Sequence, residues 1–160
     1  RDCLLSRGLG DVYKRQMNGR DGERMAYANS VWVLMDTKKG IPVRVTKEIS
    51  DAYGLDPQLP MQCSERKIML PEKYEEKDSL VVPSYFIDTN HHMNNTRYVQ
   101  VAMEYVPKEF RTMEVRVEYK KAAMCRDVIV PHVTIEDPRV TVALCAPDGQ
   151  LYAVVVFLKA

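Results

Sequence analysis

The stretch Asp88-Thr89-Asn90-His91-His92-Met93-Asn94-Asn95 decides how the rest of this chain is read. It sets an acid, paired imidazoles and three amides between segments of different pattern. Before it, residues 79–87 (Ser-Leu-Val-Val-Pro-Ser-Tyr-Phe-Ile) form an apolar run that reads as a strand. After it, Tyr98, Val101, Ala102, Tyr105 and Val106 recur at helical spacing and draw one apolar stripe. Asn94 or Asn95 is the natural N-cap, and Pro107 the stop. The octapeptide therefore stands at a strand-to-helix junction, where backbone N–H groups lack intrahelical partners and the helix dipole favours negative charge. A developing oxyanion could be held there. If the segment stays extended, alternation directs Asp88, Asn90 and His92 to one side. A polar loop that only caps a helix is the plainer reading. The apolar flanks, which pin the loop to a rigid scaffold, and the convergence of polar groups favour a site.

Outward from this junction the chain resolves into elements. Met113, Val115, Val117 and Tyr119 alternate with Glu114, Arg116, Glu118 and Lys120, which predicts a strand with one buried face. Val128 to Ile135 follows, and Pro131 inside it asks for an edge position or a bulge. Arg139 to Cys145 and Leu151 to Leu158 make a hairpin across residues 146–150, and the second of these strands, apolar on both faces, belongs at the centre of a sheet. Upstream, Met25 to Met35 with its run Val31-Trp32-Val33-Leu34-Met35, a turn at 36–40 and a return over Ile41 to Val45 predict a hairpin whose first strand is buried on both faces. Residues 47–78 are charged, carry Pro57, Pro60 and Pro71, and read as an inter-domain linker with a short helix over Thr46 to Ala52. Residues 1–16 show neither helical nor strand periodicity. Asp11 to Gln16 resembles a translated sequencing-adapter scar, so 1–16 is set aside as a non-native tail.

Composition narrows the function classes. Hydrophobic residues make up 46% of the 160 and charged residues 28%, as in a globular protein with a real core. A formal net charge of +1 gives no general pull toward nucleic acid. No run approaches the ~18 apolar residues of a membrane span, and no secretory signal is evident. The cysteines Cys3, Cys63, Cys125 and Cys145 have neither CxxC nor zinc spacing, which points to reduced thiols and a cytoplasmic location.

The octapeptide, Asp-x-Asn-x-His-x-Asn-Asn, followed by an aromatic at Tyr98 and by Glu104 ahead of Val106-Pro107, resembles the acyl-ACP thioesterases of the bacterial type. The likeness runs from about Gly19 to Ala160. It implies an α+β architecture of tandem hot-dogs, in each of which an antiparallel sheet wraps a central helix. On this reading residues 17–46 are the last strands of the first hot-dog, 47–78 the linker and 79–160 a complete second hot-dog. The first strand, helix and middle strands of the first hot-dog have no counterpart here, so an N-terminally truncated enzyme is expected. An isolated hot-dog would leave an apolar partner surface exposed, and self-association as a homodimer is then expected.

The resemblance also implies chemistry: hydrolysis of fatty acyl thioesters of acyl carrier protein in fatty acid biosynthesis, with the catalytic Asp, Asn and His on Asp88, Asn90 and His92. Imidazoles exchange protons near neutral pH, so His92 suits the base. Asn90 would orient the water or donate to the carbonyl, Asp88 would fix the imidazole tautomer or join the base system, and backbone N–H groups around Asn94 and Asn95 would polarise the thioester. No cofactor is needed, since phosphopantetheine arrives with the substrate. Plant members follow a Tyr-basic-basic run with Glu and Cys. Here Tyr119-Lys120-Lys121 is followed by Ala122-Ala123, and Cys125 is read as a buried small residue rather than a nucleophile. Direct attack by water is therefore expected. His91 should face away from His92, and with only His132 besides, a metal site is not expected. Lys120, Lys121 and Arg126 beside Arg116 make a basic stretch that suits an acidic carrier or is simply a solvated face. Met103, Tyr98 and Tyr105 either touch the acyl group or belong to the core. An acyl-CoA thioesterase, or a hot-dog that binds acyl groups without turnover, are the alternative functions.

Overall fold

The structure is a computed structural model that describes residues 9–17, 21–22, 24–53 and 67–159. It divides into a unit over Arg1–Ser64 and a unit over Glu65–Ala160. In the first unit, strand β1 (Leu9–Met17) pairs antiparallel with β2 (Arg24–Val33), and β3 (Met35–Asp36) with β4 (Ile41–Pro42). Two expectations are corrected here. Residues 9–16, which lack strand periodicity, lie in β1. The long apolar strand β2 takes β1 as its partner, whereas the expected return strand is the two-residue β4. The turn between β3 and β4 is as read: Gly40, at φ 65°, donates its N–H to Asp36 O at 2.7 Å. The run expected to be buried on both faces is exposed, with Trp32 at 59%. Helix α1 (Lys47–Tyr53) follows, and Thr46 Oγ1 accepts the Ile49 N–H at 3.4 Å.

The second unit begins inside the stretch read as linker. Its strands are β5 (Glu75–Glu76), β6 (Leu80–Val81), β7 (Thr112–Tyr119), β8 (Val128–Glu136), β9 (Arg139–Cys145) and β10 (Leu151–Lys159), with helix α2 (Asn95–Met103) between β6 and β7. The antiparallel order is β5-β8-β9-β10-β7, and β6 also pairs with β8. This is the expected α+β hot-dog arrangement, with α2 packed on one face of the sheet against β9 and β10. Alternation explains why β10 is buried on both faces from Tyr152 to Phe157. Ala153, Val155 and Phe157 join the helix-side core, while Val154 and Val156 meet Ile68, Ala143 and Cys145 on the opposite face. Ile68, from the supposed linker, is thus part of this unit's core. A bulge between Leu151 and Ala153 turns Tyr152 to the helix side as well.

Several details differ from the pattern reading. Residues 79–87 are not one strand: after β6 the chain breaks at Pro83, which has no N–H for a ladder, into a 3₁₀ turn over Ser84–Phe86. Helix α2 ends at Met103, short of Pro107. Its stripe of Tyr98, Val101 and Ala102 is buried as expected, while Tyr105 and Val106 pack against the core, partly buried, from the turn beyond the helix. Pro131 is not on an edge. Its carbonyl accepts Lys77 N–H at 2.9 Å, so its missing N–H faces the same side, at the break between the β5 and β6 pairings. The apolar face expected to be buried on β7 is largely open, with Met113 at 68% and Val115 at 45%, because β7 is the edge strand.

Candidate active site

The octapeptide is a closed loop with a buried anchor. Ile87 and Met93 pair across its neck as an isolated antiparallel bridge. Asp88 N–H donates to His92 O at 3.0 Å, and Asn94 N–H to Phe86 O at 2.9 Å. Met93, 1% exposed, drops into the core and donates its N–H to Ala123 O at 2.8 Å. An apolar side chain between polar ones thus fixes where His92 and Asn94 stand. The chain reverses at 88–91: His91 N–H donates to Asp88 O, Asn90 N–H to Asp88 Oδ1 at 2.8 Å, and His91 adopts φ 66°, the left-handed region that a residue with Cβ visits at a cost.

The expectation that Asp88, Asn90 and His92 project together from an extended segment is therefore corrected. Asp88 and His92 face each other across the neck, with His92 Nδ1 3.9 Å from Asp88 Oδ1. Asn90 sits at the tip, its side chain exposed, and is tied to the pair through its backbone. His91 is exposed, as expected.

Helix α2 begins at this neck. Asn94 is its N-cap, with Oδ1 accepting the Thr96 N–H at 3.0 Å. Since Asn94 N–H is spent on Phe86, the N–H at the helix start without an acceptor among the described residues is that of Asn95. Of the expected oxyanion positions, Asn94 holds the cap and Asn95 presents the donor.

The neck separates two hollows. One, of about 150 Å³, is lined by His92, Met93, Asn95, Tyr98, Tyr119 and Lys120 among others. The other, of about 360 Å³, is lined by Asp88, Phe86, Asn94, Arg97 and Gln100 among others. The smaller has room for roughly five waters at ~30 Å³ each, enough for a reacting centre. Ala122 lines this hollow, and Ala123 is fully buried.

Tyrosines frame the His92 hollow, and their role there was not legible from the sequence. Tyr119 O–H donates to Asn95 O at 3.0 Å. Tyr98, 2% exposed, meets Tyr119 edge to face at 5.6 Å, and its Oη accepts Ala123 N–H at 2.8 Å. Burial pushes both phenols above the usual tyrosine range; at Tyr98 the Ala123 N–H pulls the other way, and at Tyr119 the neighbouring Tyr98 adds to the rise. The signal available in the sequence was Tyr119 closing an alternating strand and Tyr98 on the helix stripe. Both patterns read equally well as core. Cys125, expected to be buried, is exposed. Among the described residues no three His, Cys, Asp or Glu side chains are grouped to hold a metal ion. Lys120 pairs with Glu118 and Lys121 with Gln150.

Comparison with known proteins matches this arrangement. Residues 70–142 fit the model of the acyl-ACP thioesterase C-terminal domain. The chain is 30% identical to a chloroplastic acyl-[acyl-carrier-protein] hydrolase of Cuphea viscosissima over 73% of its own length, and it spans 31% of that relative. Its fold is similar to the crystal structure of an acyl-ACP thioesterase from Bacteroides thetaiotaomicron, with a TM-score of 0.82, 17% identity, and coverage of 97% of this chain and 64% of that one. The 12:0-ACP thioesterase from Umbellularia californica is similar with a TM-score of 0.75 and 16% identity, covering 95% of this chain and 65% of that one. The hot-dog sheet, the helix-capping octapeptide and the matched model together identify residues 70–142 of this chain as an acyl-ACP thioesterase C-terminal domain.

Proposed function

We propose that this chain is part of a thiolester hydrolase that cleaves fatty acyl groups from acyl carrier protein. The observation that carries the reading is the Asp88–His92 pair, 3.9 Å apart, beside the unpaired Asn95 N–H at the start of α2. In the reaction, a water in the His92 hollow attacks the thioester carbonyl carbon and His92 takes its proton. The carbonyl π pair moves to oxygen, where the Asn95 N–H and the positive end of the helix hold it. The pair then returns, the carbon–sulfur bond breaks, and the departing thiolate takes the proton back from the imidazolium. Asp88 holds the imidazole in the tautomer that can accept at its other nitrogen, and Asn90, whose N–H meets Asp88 Oδ1 at 2.8 Å, orients that carboxylate. With alanines at 122 and 123 and no thiol among the described residues that line the hollow, attack is by water and no acyl-cysteine forms.

The substrate brings its own phosphopantetheine, so no cofactor is required. The exposed Lys120, Lys121 and Arg126 suit the acidic surface of a carrier protein. The open edge and apolar face of β7 suit self-association as a homodimer. The reading puts the enzyme in the cytoplasm of a bacterium, in fatty acid biosynthesis. A non-catalytic acyl-binding domain is the second reading, favoured by the alanines at 122 and 123, where the resemblance to plant members implies an acid and a thiol. Turnover of an acyl thioester after His92→Ala and Asp88→Asn is the test. A drop of about 10²-fold or more in either folded variant is expected, and near-normal rates sink the hydrolase reading. Tight acyl-thioester binding without hydrolysis selects the second, and relative kcat/KM on carrier-protein and coenzyme A thioesters separates those two substrates.

A further inference from the structure

We propose that the phenol of Tyr98 is a second hydrogen-bond donor to the thioester oxygen in the His92 hollow, working beside the Asn95 N–H. The inference rests on the hydrolase reading above. Tyr98 and Tyr119 both line this hollow, and they differ in what their protons do. Tyr119 has committed its proton to Asn95 O. Tyr98 uses its oxygen to accept the Ala123 N–H at 2.8 Å, and among the described residues no acceptor takes its hydrogen. A buried hydroxyl hydrogen without an acceptor is uncommon in a well-packed interior and calls for a ligand. The site is also built rigidly: Tyr98 is 2% exposed, braced edge to face by Tyr119 and set in the helix-side core.

Position and chemistry agree with the role. Tyr98 follows Asn95 by one turn on α2, and both residues line the hollow. His92 borders the same hollow. An oxygen that already accepts an N–H has a more polarised O–H and donates more strongly. Burial, the main cause of the raised Tyr98 pKa, keeps the phenol neutral and in possession of its proton. Charge builds on the carbonyl oxygen as water adds, and the phenol shares it by hydrogen bonding without giving up its proton. When the electron pair returns and the carbon–sulfur bond breaks, the bond to Tyr98 weakens again. Protonation bookkeeping stays with His92 alone.

The experiment compares turnover of S-decanoyl pantetheine by the chain, by His92→Ala, by Tyr98→Phe, and by the chain carrying 3-fluorotyrosine at position 98. Tyr98→Phe is expected to lower kcat by about 10–100-fold, with KM changed less than threefold. That variant also strips Ala123 N–H of its acceptor, so the fluorinated residue is the deciding arm. It keeps the ring and the accepting oxygen and makes the phenol a stronger acid. A donor to the transition state then raises kcat two- to fivefold at pH 6.5, whereas a purely structural phenol leaves it unchanged. If the chain far outpaces His92→Ala while the fluorinated protein matches wild type, the Tyr98 role is overturned and the hydrolase reading stands. If the chain is no faster than His92→Ala, the hydrolase reading fails and the Tyr98 role goes with it.

Discussion

Asn94 carries two separable duties, and replacing it with Asp should move stability and turnover in opposite directions. Its Oδ1 accepts the Thr96 N–H at 3.0 Å and caps α2, while its backbone sits next to the donor at Asn95. Asn94→Ala removes the cap, a loss of about 1 kcal/mol. For a unit the size of Glu65–Ala160, that is a fall of about 4–8 °C in melting temperature. Turnover should drop less than tenfold, because the Asn95 N–H remains. Asn94→Asp keeps the accepting oxygen and adds a negative charge at the positive end of the helix, worth about 0.3–1 kcal/mol of stabilisation. The same charge opposes an oxyanion. At roughly 5 Å and an effective dielectric of ~20 the repulsion is about 3 kcal/mol, which is about two orders of magnitude in rate. The Asp variant should therefore melt at or above wild type and turn over about 100-fold more slowly. Thermal unfolding followed by circular dichroism and steady-state hydrolysis of an acyl pantetheine read the two effects. An Asp variant as active as wild type would refute the claim that negative charge develops at the start of α2.

Other consequences are simpler. Ile68→Ala deletes the side chain that the strap before β5 lends to the outer face of the sheet, where it meets Ala143, Cys145, Val154 and Val156. It should cost about 2–4 kcal/mol in denaturant unfolding, and a loss below 1 kcal/mol would mean that residues 67–74 are not integral to the unit. Tyr152 is pushed up to about 12 by burial and by its hydrogen bond to Asp127. Its folded pKa lies above its unfolded value, so this stabilisation is complete below pH 10 and is lost as pH climbs from 10 through about 12. The loss amounts to about 2–3 kcal/mol. Denaturant titrations across that window should fall less steeply for Tyr152→Phe, and identical slopes would contradict the assignment.

The parts of the fold legible in the sequence were those where one local signal had one structural solution. The stripe from Tyr98 to Val106 at helical spacing, with Asn94 before it, could only be a capped helix lying on a core. The β9–β10 hairpin was marked by Asp148-Gly149 between apolar runs, and Gly149 takes the φ of 83° that the turn demands. Where several solutions share a pattern, the sequence was silent. Alternation along Met113 to Tyr119 is the same whether its apolar side is covered or lies open on an edge strand, and that depends on strand order. An apolar run such as 79–87 reads as a strand until Pro83 interrupts it. Residues 9–17 show no alternation, and their pairing is visible only in the register with β2. At the site, residue types were legible and their directions were not. A single left-handed residue, His91, separates an extended segment from a closed loop, and no periodicity encodes it.

On the proposed hydrolase reading, that closed loop changes how the roles of the site residues divide. Asp88 Oδ1 is shared between the Asn90 N–H at 2.8 Å and the His92 ring at 3.9 Å, so the carboxylate is oriented by the loop backbone before it meets the imidazole. Nδ1 is the ring nitrogen set 3.9 Å from Asp88, and on the proposed reading Nε2 serves the hollow that His92 and Asn95 both line. An extended segment would have lined all three side chains along one wall and given the base no fixed tautomer. On the proposed hydrolase reading, the reversal at 88–91 sets Asp88 on one side of the imidazole and leaves the other for water, and that order is what a base needs to take a proton in one direction. The strain at His91 is thus spent on direction, and the buried Met93 supplies the grip that keeps the loop from relaxing to the extended form.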